Sequence, residues 1–372
     1  MSALNILALN SGSSSLKFGL YRVDSSSAEK LLSETVATAD HADTMTRVAS
    51  VLATSGMPPP EAIGHRIVHG GPALRQHCRI DDAVLRKLQD ATALAPLHAP
   101  AALALIRFAQ SHFPGVPQVA CFDTQFHAGL PDVARVLPIA RELLSEGVQR
   151  YGFHGLSIES IVRQLGDALP HQSSVQLPER LVIAHLGNGA SITALKAGRS
   201  IDTSMGLTPS GGVIMGTRSG DLDPGVLVYL LREKKLDAAG LEALIDQRSG
   251  LLGISGLSGD MRRLHEAAAS SRDARLAIEM FCMSVRKQVA AMAAVLGGMD
   301  MLVFTGGIGE NDAQVRAEIC NGLSWASIRL DESRNRDVSN PLISDGASRC
   351  QVLVLASQED EQIARHTWAL LA

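Results

Sequence analysis

The chain has little of several things, and each shortage removes a class of function. Aromatic residues make up 3% of its 372 residues, too few to build base-stacking platforms for single-stranded nucleic acid. No surplus of positive charge is present either: 34 basic against 38 acidic residues give a net charge of -4. Nothing there neutralises a polyphosphate backbone, so nucleic acid is not expected as a partner. The five cysteines (78, 121, 282, 320 and 350) are odd in number, far apart and without CxxC spacing. They suggest neither a disulfide framework nor a zinc site, and a reducing cytoplasm is the expected location. Residues 1–10 lack a cationic start and their apolar run is broken at Asn5 and Asn10, which does not fit a secretory signal. The longest apolar helical stretch, 289–296, is too short to span a bilayer, so no membrane association is expected. Also missing are a Walker loop, a GxGxxG opening a helix, and an HExxH spacing.

What is present is a globular, core-forming composition, 46% apolar and 19% charged, in a length that favours two domains. The run Ile6–Leu9 reads as a strand that ends in Asn10-Ser11-Gly12-Ser13-Ser14-Ser15, and residues 16–23 read as its return strand. Residues 24–60 are polar and close on three prolines, which predicts one helix in a peripheral segment. Residues 101–110 and 138–144 read as helices. The opening grammar then returns about 175 residues later: an apolar run at 181–186, a turn Gly187-Asn188-Gly189-Ala190-Ser191, and a strand at 192–195. A third instance is Met301–Phe304 followed by Thr305-Gly306-Gly307-Ile308-Gly309-Glu310-Asn311, preceded by a long helix at 273–296. A strand at 351–355 and a helix from about 360 complete an α/β alternation with a repeat at domain scale.

Three small-residue turns at strand ends offer backbone N–H groups that glycine lets approach phosphate closely, and open α/β sheets bind ligands at the carboxyl ends of their strands. Two arginines sit in glycine-flanked segments, Arg66 in Gly64–Gly71 and Arg218 in Met215–Asp221, which predicts loops where a guanidinium meets carboxylate or phosphate. Histidines concentrate around His98, His127 and His154; without metal spacing they read as donors to an anion, His154 best placed. Asp123 and Glu359 are the acids with magnesium potential, since that ion needs only one or two carboxylates besides phosphate oxygens. A capping role for Asp123, and a helix N-terminal role for Glu359 and Asp360, are the competing readings.

These segments together resemble the acetate kinases, in the acetokinase group of the actin, Hsp70 and sugar-kinase superfamily. The resemblance rests on residues 10–18, 185–191, 202–209, 215–224, 250–255 and 304–311, and it runs on to 363–365. It implies an α/β fold of two duplicated ribonuclease-H-like (actin-like ATPase) domains around a central cleft. The expected division is 1–150, with 360–372 packing back on it, and 151–359 for nucleotide binding and dimerisation. The implied activity is reversible transfer of the γ-phosphoryl group of ATP to acetate, giving acetyl phosphate and ADP, with Mg2+ or in its place Mn2+, in a homodimer. Carried over by motif, Arg66 and Arg218 hold the carboxylate and the moving phosphoryl group, and His154 steadies its equatorial oxygens. Asp123, Asn10 and Glu359 match magnesium-associated positions. Lys17, His185, Gly187, Asn188 and Gly189 resemble phosphate contacts, and Asp260, Arg262, Gly307, Ile308, Gly309 and Asn311 resemble nucleotide contacts. Val68, Leu97, Phe153 and Pro209 match an apolar wall around the substrate methyl.

The chain departs from the family pattern in four places. Leu156-Ser157-Ile158 stands where Thr-Ser-His is common, Ser210-Gly211-Gly212 where Leu-Glu-Gly is typical, Gln358-Glu359-Asp360 where Asn-Glu-Glu is usual, and residues 24–60 are short. Two alternatives stand beside acetate: the same chemistry on propionate or butyrate, and a non-catalytic nucleotide-driven switch.

Overall fold

The computed structural model describes residues 2–12, 15–37, 41–96, 98–167, 177–337 and 339–372. Leu97 and the Ser13-Ser14 part of the first turn lie outside them. Eleven strands are described: β1 (Leu4–Ser11), β2 (Ser15–Val23), β3 (Ala28–Ala37), β4 (Ala62–Ile67), β5 (Cys78–Arg79), β6 (Gln118–Phe122), β7 (Arg180–Leu186), β8 (Ala190–Lys196), β9 (Arg199–Thr203), β10 (Met301–Thr305) and β11 (Gln351–Val354). They form two sheets, ordered β3-β2-β1-β4-β6-β5 and β11-β10-β7-β8-β9. In each, an antiparallel three-strand meander is joined to parallel strands: β4 and then β6 beside β1, β10 and then β11 beside β7. The second sheet thus repeats the first, apart from the two-residue edge strand β5. This is the duplicated ribonuclease-H-like arrangement, and it accounts for the repeated strand-and-turn grammar.

Period-two burial explains why β1 and β7 read as unbroken apolar runs. Leu7 and Leu9 pack with Leu105 and Ala109 of the helix Ala99–His112, while Ile6 and Ala8 face Ile363 and Ala364 of the helix Glu359–Leu371. In the second sheet Val182, Ala184 and Leu186 share a core with Val285 and Val289 of the helix Arg272–Leu296, and Leu181 and Ile183 face Ile158, Ile161 and Leu165 of the helix Gly155–Asp167. Each such Leu or Ile contributes about 1.5–3 kcal/mol on burial.

The last helix comes so close to the first sheet because of one glycine. A Cβ at Gly64, on β4, would lie 2.2 Å from Thr367 Oγ1 and 2.6 Å from Ile363 Cγ2. That approach sets the first turn of the helix, with Glu359, Asp360 and Glu361, over the end of β1. Acids there are favoured by the positive end of the helix dipole.

Three expectations are corrected. Within residues 24–60 the chain forms β3 before the helix His41–Thr54. Its exposed Glu29, Lys30 and Glu34 mask the alternation, as befits an edge strand that must not pair with another chain. Residues 138–144 form no full helix; only the turn Glu142–Ser145 is helical. Arg66 is not on a loop but is the fifth residue of β4. Among the described residues no helix is long and apolar enough to cross a membrane.

Candidate active site

The carboxyl ends of β1, β4, β7 and β10, together with the segment after β11, open onto one cleft of about 640 Å³. Asn10, Lys17, Arg66, His154, His185, Gly187, Asn188, Gly189, Arg218, Gly307, Asn311 and Glu359, all named from the sequence, line it. The structure therefore brings most of the candidate residues together from segments more than 300 residues apart.

Arg66 is aimed by Asp123, the residue that follows β6. Its Nε donates to both carboxylate oxygens at 3.1 and 3.0 Å, and Nη2 donates to Oδ2 at 2.6 Å. Nη1 donates to the Ser11 carbonyl at 3.1 Å. Burial alone would lower the Arg66 pKa, but Asp123 and Glu359 overcome it and raise it, so the group is a fixed cation. Asp123 is 1% exposed and does not line the cleft; it stands behind the arginine as its counter-charge. The capping reading of Asp123 is replaced by this ion pair.

Arg218 does lie on a loop, and that loop is stapled at both sides: Ser219 N donates to the Ile245 carbonyl at 2.9 Å, and Ser249 N to the Thr217 carbonyl at 3.0 Å. Its Nη1 donates to the Pro209 carbonyl at 3.3 Å and its Nη2 to His98 Nε2 at 3.1 Å. His98 is thereby fixed as an acceptor at Nε2, and burial, then Arg218 and Arg66, push its pKa down to about 3.

His154 stands in the left-handed region at φ 58°, an uncommon backbone state for a side chain of this size. Gly155 N donates to the Asp123 carbonyl at 2.8 Å, which pins the chain there. The His154 ring stacks on His185, centroids 4.1 Å apart, and its Nδ1 pairs with Ser191 Oγ at 3.0 Å. Burial, with His185 and the two arginines, holds its pKa well below the ordinary value, so it is a neutral imidazole. His185 pairs through Nδ1 with Ser157 Oγ at 2.8 Å, and burial lowers its pKa to about 4.

Gly189 closes this group. A Cβ there would lie 3.2 Å from His154 Nε2 and 3.5 Å from Arg218 Nη1. Gly189→Ala is expected to keep the melting temperature and lower kcat by about tenfold or more, since small displacements of positioned groups are costly. Wild-type kcat in that variant would show that the turn does not set the position of His154.

Asn10 bridges two acids, donating from Nδ2 to Glu359 Oε2 at 2.9 Å and to Asp360 Oδ1 at 2.7 Å. Burial raises the Glu359 pKa, but Arg66, His185 and Asn10 outweigh it and the net shift is downward. Burial and Glu359 raise that of Asp360. Both acids open the helix Glu359–Leu371, so the helix-terminal reading also describes them. On the far wall, Glu310 Oε1 accepts from Gly306 N at 2.9 Å and from Ser357 N at 3.0 Å, tying the segment after β10 to the one after β11.

Other candidates sit elsewhere. Val68 and Phe153 are buried in the apolar core beside the cleft, and Pro209 is buried at Arg218. Ile308 packs against the core, and Gly309 is buried with its carbonyl held by Arg316, so neither lines the cleft. Asp260 caps the helix Met261–Ala267 and pairs with the exposed Arg262; neither lines the cleft. His127 does not face the cleft: it bonds Ser200 Oγ and the Phe153 carbonyl at 2.8 and 3.0 Å. Sequence reasoning missed Glu310, Ser357 and Asp360 as site residues, and His98, read as a donor to an anion, instead accepts from Arg218 at Nε2. His98 carried a signal in its Pro-flanked cluster, and Glu310 lay within a quoted motif. Lys30 and Thr35 also line the cleft, and were missed with β3.

Among the described residues one set of three metal-type side chains converges, His77, Glu159 and His366, away from the cleft. His77 Nδ1 accepts the Phe122 N–H at 3.0 Å. The proton of the neutral ring is therefore on Nε2, which has no lone pair for a metal.

The family model described as the acetokinase family matches residues 22–365. An acetate kinase of Methylocella silvestris is 41% identical over 98% of both chains, and one of Rhodopseudomonas palustris is 39% identical over the same shares. Among solved structures, a propionate kinase from Francisella tularensis superposes with a TM-score of 0.86 at 36% identity, and Porphyromonas gingivalis acetate kinase with 0.84 at 34%, each over 100% of both chains. The chain belongs to the acetokinase family.

Proposed function

We propose that this protein is an acetate kinase: it transfers the γ-phosphoryl group of ATP to acetate, reversibly, giving acetyl phosphate and ADP. The observation that carries this reading is the convergence of Arg66, Arg218 and neutral His154 on one cleft beside a phosphate-type turn. Such transfer is chiefly positioning and stabilisation of charge on the equatorial oxygens. A carboxylate oxygen attacks phosphorus in line while the bond to the ADP oxygen breaks. Acetic acid, with a pKa of roughly 4–5, is already ionised at pH 7 and needs no base to take a proton, and the neutral His154 serves as a donor.

The acid itself is small on this reading. A void of about 10 Å³ lies beside Arg66, Val68, Ala95 and His98, room for roughly one methyl-sized or water-sized group. That favours acetate over propionate or butyrate. The Arg66 and Arg218 pair also favours catalysis over a nucleotide switch, which has no use for a carboxylate-binding pair.

The hard oxygen donors of Asn10 and Glu359 fit magnesium, which takes one or two carboxylates and leaves its other positions to water and phosphate, whereas both carboxylate oxygens of Asp123 are held by Arg66. When bound, the ion supplies neutralisation of charge on the phosphate oxygens; Mn2+ is the alternative. The segments after β7 and β10 would receive the nucleotide, together with Asp260 and Arg262, which the family resemblance assigns to it.

The two sheets support division into residues 1–150 with 360–372, and 151–359. Five unbridged cysteines, four of them buried, support a cytoplasmic location. A homodimer is supported by exposed apolar residues in the second half: Val226, Val228, Tyr229 and Leu231 on one helix, and Leu276, Met280 and Met283 at i, i+4 and i+7 on another. Light scattering should give twice the chain mass for wild type and the single mass for Met280→Asp/Met283→Asp; a monomeric wild type contradicts this.

Phosphorus NMR on protein, Mg-ATP and acetate tests the activity. Acetyl phosphate and ADP should grow together, whereas ADP with inorganic phosphate alone would mark an ATPase and overturn the reading.

A further inference from the structure

We propose that Ser157 and Ser357 are positioning residues: two hydroxyls in series that keep the proton of His185 on Nε2, so that this ring donates to phosphate oxygens beside His154. The inference rests on the phosphoryl-transfer reading above.

The two stacked imidazoles both present Nε2 to the turn after β7. A Cβ at Gly189 would lie 3.2 Å from His154 Nε2, and one at Gly187 would lie 3.9 Å from His185 Nε2. Each Nδ1 meets a serine instead, Ser191 Oγ at 3.0 Å for His154 and Ser157 Oγ at 2.8 Å for His185. A ring so placed serves an anion in the turn only if its Nε2 carries hydrogen.

For His185 the hydrogen-bond chain decides which nitrogen that is. Ser357 Oγ donates to Ser157 Oγ at 2.9 Å. Ser157 Oγ accepts on that side, and its single proton is left for His185 Nδ1. An acceptor at Nδ1 excludes the Nδ1–H tautomer and the imidazolium alike, and so puts the ring proton on Nε2.

Both hydroxyls are held in place from outside the relay. Ser157 is fully buried in the first turn of the helix Gly155–Asp167, three residues after His154. Its carbonyl accepts from Ser160 Oγ at 2.7 Å, and Ser160 Oγ accepts from Gln358 N at 3.1 Å. Ser357 N donates to Glu310 Oε1 at 3.0 Å, the oxygen that also takes Gly306 N. The segment after β11 is therefore tied at two successive residues, and through Ser357 it reaches the ring that faces the turn after β7.

Nitrogen NMR on protein labelled with 15N-histidine reads the tautomer without substrate, with His185→Gln assigning the signal. Wild type is expected to show the Nε2–H form alone. Ser157→Ala leaves Nδ1 without its partner, so the Nδ1–H form should appear. Its kcat for acyl-phosphate formation should fall about tenfold or more, since displaced catalytic donors are costly, with KM for acetate little changed. Ser357→Ala keeps the inner hydroxyl but frees it to accept from Nδ1–H, so the two forms should mix and kcat fall less. Ser357→Thr keeps the outer hydroxyl and should restore both readouts. An Nδ1–H ring in wild type overturns the proposal, as does an unchanged tautomer in Ser157→Ala whatever its rate, or wild-type kcat in a variant whose tautomer has shifted. Failure of wild type to phosphorylate any acid overturns the activity reading instead, and the tautomer measurement still decides the relay.

Discussion

Arg66→Ala is expected to lose turnover and stability together, while Arg218→Ala loses turnover alone. Both guanidiniums face the cleft, and removal of one positioned cation from a phosphoryl-transfer site costs about 10²–10³-fold in kcat or more. Their surroundings differ. The Arg66 side chain is 12% exposed and its partner Asp123 is 1% exposed, bound through three N–H···O contacts. Alanine at 66 leaves that carboxylate buried and unpaired, a loss of about 3–5 kcal/mol. Among the described residues Arg218 bonds a carbonyl and an imidazole, neither of which carries charge. Urea unfolding of the two variants checks this, with Arg66→Ala/Asp123→Asn as control: the double variant should regain much of the stability and none of the activity. Equal stability of the two single variants would contradict the asymmetry.

Acid should unfold this protein unusually early, between pH 6.5 and about 4. Seven of its twelve histidines, at 65, 69, 77, 98, 127, 154 and 185, have pKa values lowered primarily by burial, those at 77 and 98 to about 3 and those at 65, 69, 127 and 185 to about 4. The sign follows from where each state binds the proton. Above pH 6.5 these rings are neutral folded and unfolded, so no penalty arises. As pH falls below 6.5 the unfolded chain takes up protons that the folded chain refuses, and stability drops until the folded pKa is passed. Each ring contributes a slope of about 1.4 kcal/mol per pH unit within that window. Urea titrations at pH 7, 6 and 5 should show a steep fall, and a flat stability over that range would mean that these rings are solvated.

The sequence made the duplicated halves legible because β1 and β7 are buried on both faces and each is followed by a run rich in glycine and serine. It also made Arg66, Arg218, His154, Asn10 and Glu359 legible, since each lies in a segment crowded with functional groups. What stayed hidden depended on contacts across the chain. β3 hides its apolar face beneath edge charges. Asp123 looked like a metal ligand, yet its carboxylate is spent on Arg66, a pairing that only the adjacency of β4 and β6 reveals. Gly64 reads as part of a flexible loop and is in fact the strand position that lets the last helix descend on the sheet. Ser210 reads only as a departure from the family pattern, and the structure shows its hydroxyl tying that loop to Asp246.

The most direct test of the account is the rate of acyl-phosphate formation, trapped as hydroxamate, with Mg-ATP and acetate, propionate or butyrate in parallel. The small void beside Arg66 and His98 predicts the highest kcat/KM for acetate, falling with each added carbon. A maximum at butyrate would contradict the pocket described here, and no hydroxamate from any acid, with ATP still bound, would contradict its central claim.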